Sequence, residues 1–140
     1  MNIIALRGRG ECGKSETIGI HLRGFLTVKT YPREDWRKHK DKRECVSYDG
    51  KTIALCPPGD SEEIVKDNIV FIEKHPCDVV FTATRSRGRG CRALEDFAKE
   101  MGAELIWIWK EYNDDFNRQG QTAENMKLAE KLMRFLDKTD

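Results

Sequence analysis

No apolar run in the sequence approaches the ~18–20 residues needed to cross a bilayer, so no membrane partner is expected. The opening run Met1–Leu6 is too short for a signal-peptide core, and Arg7 and Gly8 follow it in place of a cleavage site. The five cysteines, at positions 12, 45, 56, 77 and 91, form no C-x-x-C pair, and His21, His39 and His75 lie far apart. No zinc signature results. An odd cysteine count without a disulfide framework reads as reduced thiols in a cytoplasmic protein. Net charge is nearly absent too, since 25 basic residues against 24 acidic leave +1. That excludes the whole-surface positive field behind non-specific nucleic-acid binding. No repeat of solenoid period is present.

What the sequence does have is charge, 35% of residues, over a hydrophobic fraction of 39%. A thin core under a heavily charged surface follows. The 140 residues make a single domain, 1–140. A chain of that size buries about two thirds of its unfolded surface, enough to fold without disulfide or metal staples.

Ile3–Leu6 reads as a buried strand ending in a glycine-rich turn. A helix is expected from about Gly13 to Arg23, with Gly24 stopping it. Phe25–Tyr31 is β-prone, and 33–43 is a charged loop or marginal helix. Cys45–Tyr48 and Thr52–Cys56 flank Asp49-Gly50, the signal for a type I′ hairpin. Asp60 with Glu63 fits a capping box before a helix striped by Ile64, Val65, Ile69 and Ile72. Val79–Thr84 is a strand, with Asp78 before it in a structural role. A helix carrying Ala93, Leu94, Phe97, Ala98 and Met101 should stop at Gly102. Leu105–Trp109 is a strand, Asn113–Gly120 a loop, and Leu128, Ala129, Leu132, Met133 and Leu136 stripe a last helix. Alternating strands and helices give an α/β fold of three layers. The sheet is mostly parallel, with one antiparallel edge strand from the hairpin at about 44–56. Ligands of such sheets sit beyond the carboxyl ends of the strands, which nominates the turns after residues 6, 56, 84 and 109.

Gly8-Arg9-Gly10-Glu11-Cys12-Gly13-Lys14-Ser15 fits G-x-x-x-x-G-K-[ST] in full, between an expected strand and an expected helix. In that pattern glycines let backbone N–H groups line an anion-binding concavity, the helix adds its positive dipole end, the lysine reaches the β- and γ-phosphates, and the hydroxyl meets Mg²⁺. The residues expected around the nucleotide are therefore Gly8, Arg9, Gly10, Glu11, Cys12, Gly13, Lys14, Ser15 and Glu16. Cys12 reads as a small side chain; its place beside Lys14 would also let its oxidation block nucleotide entry.

With this motif the chain resembles the P-loop NTPases. Its layout to about Thr84 looks like a small G domain, and Pro57-Pro58-Gly59 looks like the turn of the MinD/ParA-like ATPases. The resemblance implies a P-loop NTPase-like fold and Mg²⁺ bound with ATP or another NTP. The G-domain Asp-x-x-Gly is replaced here by Cys56-Pro57-Pro58-Gly59, which leaves Asp60 as the carboxylate nearest that position. The guanine-reading Asn-Lys-x-Asp does not follow Trp109, so ATP is the expected base.

Arg85, Arg87 and Arg89 follow a strand at the ligand edge, where guanidinium forks suit phosphate oxygens. Lys14, Arg85, Arg87 and Asp60 are the expected catalytic set, with Ser15 and Asp60 for the metal. Residues 33–43 combine Arg33, Arg37, Lys38, Lys40, Lys42, Arg43 and Trp36, but Glu34, Asp35 and Asp41 dilute them; nucleic acid is not the favoured partner. Trp107 and Trp109 share a strand face and read as core, with base stacking as the sharper alternative. The expected function is Mg-dependent ATP (or GTP) hydrolysis coupled to a conformational switch. The alternatives are a kinase acting on a small-molecule or nucleotide acceptor, and a nucleotide-sensing module that engages a protein partner without turnover.

Overall fold

The computed structural model describes residues 1–138. Four parallel strands, β1 (Asn2–Arg7), β3 (Lys51–Cys56), β4 (Val79–Thr84) and β5 (Glu104–Trp109), carry β2 (Glu44–Tyr48) as an antiparallel edge. The order is β2-β3-β4-β1-β5. The hairpin turns as its sequence dictates, with Asp49 at φ 49° and Gly50 at φ 77°.

Helices cover both faces. Against one face, Ile4, Leu6, Ile53, Leu55 and Phe81 meet Ile18, Leu22 and Leu26 from the first helical stretch and Ala129, Leu132 and Leu136 from α6 (Arg118–Lys138). Against the other, Ile3, Ala5, Ala54 and Val80 meet Val65 and Ile72 of α4 (Glu62–Lys74) and Leu94 and Phe97 of α5 (Arg89–Met101). The period-two alternation of β1 thus divides its side chains between two cores. Among the described residues no helix is long and apolar enough to cross a membrane, and all five cysteines are free thiols. Burial pushes the Cys56 thiol up to about 12 and that of Cys77 to about 11, so neither is a ready nucleophile.

Four expectations need correction. The first helix does not stop at Gly24: it runs as α1 (Lys14–Glu16), a π-helical segment Thr17–Leu22 and α2 (Arg23–Thr27), ending where Val28 turns left-handed at φ 56°. Phe25 and Leu26, expected in a strand, are helical because Leu26 is buried with Ile18 and Leu22, and Phe25 packs on the same core. The cap of α4 is Ser61, whose side chain accepts from the Ile64 N–H at 3.1 Å, not Asp60. Met101 lies in the expected stripe of α5 but is 55% exposed, since the last turn of that helix overhangs the core.

The π segment is closely approached on its outer side. A Cβ on Gly19 would stand 1.9 Å from the Lys40 carbonyl oxygen, so only glycine admits the chain that passes here. That chain comprises a 3₁₀ turn (Arg33–Asp35), α3 (Trp36–His39) and the lead into β2. It is pinned by Arg23, 1% exposed, whose guanidinium donates to the carbonyls of Gly19, His39 and Lys42 and lies 3.1 Å from Glu44.

Candidate functional site at the carboxyl edge of the sheet

The turns after β1, β3, β4 and β5 share one edge, as expected. The helices after β1 and after β4 cover opposite faces, so the switch point that such sheets use for ligands falls between turns 8–13 and 85–88. The neighbouring strand ends are bonded to one another. Gly8 N–H donates to Thr84 O, Arg7 Nε donates to Ser86 O at 2.7 Å, and Lys110 N–H donates to Arg7 O.

The glycine-rich loop leaves β1 through Gly8 and enters α1 through Gly13, which is left-handed at φ 102°. A Cβ at Gly13 would meet the Asn125 amide at 2.6 Å, so both backbone angle and space require glycine. Glu11 is also left-handed, at φ 57°. The backbone N–H groups of Gly10, Glu11 and Gly13 have no acceptor among the described residues. Unpaired donors grouped ahead of a helix start are what an anionic oxygen needs.

Lys14 is 4% exposed, and its Nζ donates to the carbonyls of Gly8 at 2.6 Å and Arg9 at 2.7 Å. Its ammonium is therefore held inside the loop's curve rather than swinging in solvent. Asp60 stands 3.7 Å from it. The same carboxylate is 3.9 Å from Arg85 Nε, which also donates to the Asp60 backbone carbonyl at 3.0 Å. The Arg85 guanidinium lies against Gly10, where a Cβ would come within 3.0 Å of it. Lys14, Asp60 and Arg85 thus meet over the loop. Ser15, in the first turn of α1, donates to Pro57 O at 3.4 Å and so faces the turn that carries Asp60. Arg87 on the turn and Arg89 at the start of α5 stay exposed, and neither pairs with Asp60 or Lys14. Cys12 is 2% exposed, packed under the loop.

Mg²⁺ commonly takes only one or two protein groups and completes its shell with phosphate and water. Ser15 and Asp60, a hydroxyl and a carboxylate on facing segments, fit that donor set. Among the described residues no cluster of three or more His, Cys, Asp or Glu could hold a metal by itself.

Glu16 connects the loop to two other elements. It is 3.0 Å from His21 Nε2 and accepts from Asn125 Nδ2 of α6 at 2.8 Å. Burial works to raise its carboxyl, but the hydrogen bonds of His21 and Asn125, with the charges of His21 and Arg33, outweigh that and hold it below the ordinary carboxylate value. A depressed folded value contributes stability above the unfolded one, and the contribution is lost as pH falls through the folded value. Melting temperature followed from about pH 6 to about pH 3 should fall more steeply below 4.5 in the wild type than in Glu16→Gln. Parallel acid limbs in the two proteins would show that this carboxylate is not what couples the loop to acid stability.

Beyond β5, an open pocket of 540 Å³ is lined by Lys110, Tyr112, Asp114, Phe116, Gln121 and Glu124 among others. Arg9 joins it to the loop, 4.2 Å over the Tyr112 ring and 3.7 Å from Asp114. Lys110 is 7% exposed, and burial pulls its ammonium below the usual lysine value. Neither Lys110 nor Asn125 was expected at the site. Their signals were present in the sequence: a lysine directly after an apolar strand, and a lone asparagine four residues ahead of Ala129 on the apolar stripe of α6. Of the tryptophans, Trp107 packs on the core, whereas Trp109 is 60% exposed. No protein-family model, curated protein or solved structure matches the chain.

Proposed function

We propose that the chain is a P-loop NTPase-like protein that binds a nucleoside triphosphate, ATP by preference, with Mg²⁺ at loop 8–15, and hydrolyses it as a conformational switch. The observation that carries this reading is the buried Lys14 ammonium, bonded to the carbonyls of Gly8 and Arg9 beside loop N–H groups that lack acceptors. A cation held beside grouped donors suits a polyanion.

In this mechanism Lys14 turns its ammonium toward the β- and γ-phosphate oxygens, and the N–H groups of Gly10, Glu11 and Gly13 take further oxygens. Ser15 and Asp60 would hold Mg²⁺, which when bound would supply positive charge to the phosphates. Asp60 could serve the metal only by giving up Arg85, whose guanidinium would then be free to meet charge growing on the γ-phosphoryl group. Because Asp60 pairs with Lys14 and Arg85 and lies on the turn that opens α4, a change in its partners would link nucleotide state to that turn. The same pairing favours a second reading, a nucleotide sensor without turnover, in which Asp60 stays on Arg85.

Phosphate release, measured with Mg-ATP in the presence and absence of candidate acceptors, separates the readings. Release without acceptor is the expected result. Consumption only with an acceptor would make the protein a kinase, and binding without consumption would make it a sensor.

A further inference from the structure

The β5 edge of the sheet is open, and its hydrogen-bonding pattern is self-complementary. Glu104 N–H donates to Met1 O and Lys110 N–H donates to Arg7 O, so the even-numbered residues of β5 face β1. By the alternation of a strand, the N–H and C=O groups of Leu105, Trp107 and Trp109 face outward, and among the described residues they have no partner. Natural edges of this length are blunted by charges, bulges or proline. The run Leu105–Trp109 has none of these. The opposite edge, β2, carries Glu44 and the exposed Ser47 within its five residues.

We propose that β5 pairs antiparallel with β5 of a second copy of this chain, about a two-fold axis at Trp107, to give one continuous sheet through both protomers. Three observations select this occupant and this register. First, setting Trp107 opposite Trp107 places Leu105 opposite Trp109, so every outward residue meets an outward residue and each donates and accepts once. A shift by one residue would oppose outward groups to inward ones. Second, these three side chains share the face of α4 and α5, where Trp109 is 60% exposed and Arg7 lies 4.9 Å and 4.8 Å from the centres of the Trp107 and Trp109 rings. Pairing extends this aromatic and aliphatic row across the axis. Third, the ends are complementary in charge. The exposed Glu104 of one copy falls beside the other copy's groove of 340 Å³, where Lys127 and Lys131 are the exposed cations, Lys110 being 7% exposed with its ammonium donating to Glu111 O.

The test is solution mass together with amide exchange, on wild type and on Trp109→Pro. Proline there removes an outward N–H and an exposed ring at the last position of the strand, so no bond to β1 is lost. Wild type should sediment at twice the chain mass. The amides of Leu105, Trp107 and Trp109 should exchange at least about tenfold more slowly at high than at low protein concentration. Trp109→Pro should sediment as a monomer with an unchanged melting temperature at low concentration, and exchange at the two remaining outward amides, those of Leu105 and Trp107, should no longer depend on concentration. A monomeric wild type would overturn the proposal. So would a dimer whose three amides exchange at the same rate at both concentrations, or a Trp109→Pro protein that still dimerises.

Discussion

Phosphate release by Arg85→Ala should fall about 10³-fold below wild type, while melting temperature and Mg-ATP affinity change little. The expectation follows from where Arg85 stands. Its side chain is 55% exposed, and its ion pair with Asp60 is a 3.9 Å contact at the surface, worth about 0–1 kcal/mol to stability. Yet the guanidinium lies against Gly10 and shares Asp60 with Lys14, where under the proposed function charge would grow on a transferring phosphoryl group. An interaction made mainly in the transition state lowers turnover without weakening ground-state binding. Lysine should not restore the rate, because a point charge lacks the planar fork. Arg87→Ala, on an exposed side chain of the same turn, is the control and should release phosphate at the wild-type rate. Equal rates in wild type and Arg85→Ala would return the whole arginine turn to a solvated role.

The largest effect on stability is expected from Arg23→Ala, a loss of about 3–5 kcal/mol in urea unfolding. This is a large part of the ~5–15 kcal/mol that holds a domain folded. The side chain is 1% exposed and supplies the carbonyls of Gly19, His39 and Lys42 together, with Glu44 at 3.1 Å. Its removal leaves those acceptors without a donor, each at a cost of about 1–3 kcal/mol where no water replaces it. Burial lowers its affinity for the proton while Glu44 raises it, so the charge depends on this one carboxylate and three carbonyls. Arg23→Lys should recover only a minor part, since one ammonium cannot span the same acceptors. Glu44→Ala should cost less than Arg23→Ala, its side chain being 33% exposed. A change under about 0.5 kcal/mol in Arg23→Ala would show that the 36–44 segment is not held from beneath.

Much of the layered fold was legible because its signals are local. Asp49-Gly50 needs two positive φ angles, Gly102 closes α5 in the left-handed conformation, and the alternation of β1 sorts Ile3 and Ala5 from Ile4 and Leu6. The glycine loop was legible because backbone angle and close approach both write glycine into the chain. What was not legible depends on distant partners. Gly24 reads as a stop, but Leu26 beyond it finds the core beneath the sheet and the helix continues. Asp60 reads as a cap, but Ser61 takes that role and leaves the carboxylate to Lys14 and Arg85. Asn125 stands 109 residues from Glu16 in sequence and meets it only once α6 has docked. The reach of Arg85 over Gly10, and not of Arg87, likewise follows from strand order, with β4 placed directly beside β1.

Calorimetric titration of Mg-ATP into wild type and Lys14→Ala tests the central claim most directly, with Mg-GTP as the comparison. Loss of the charge-assisted contacts of one buried ammonium costs about 1.5–3 kcal/mol, so affinity should fall at least about tenfold in the variant. ATP should bind wild type at least as well as GTP. Wild type that binds neither nucleotide at about millimolar concentration, or a Lys14→Ala protein that binds ATP as tightly as wild type does, would contradict the account.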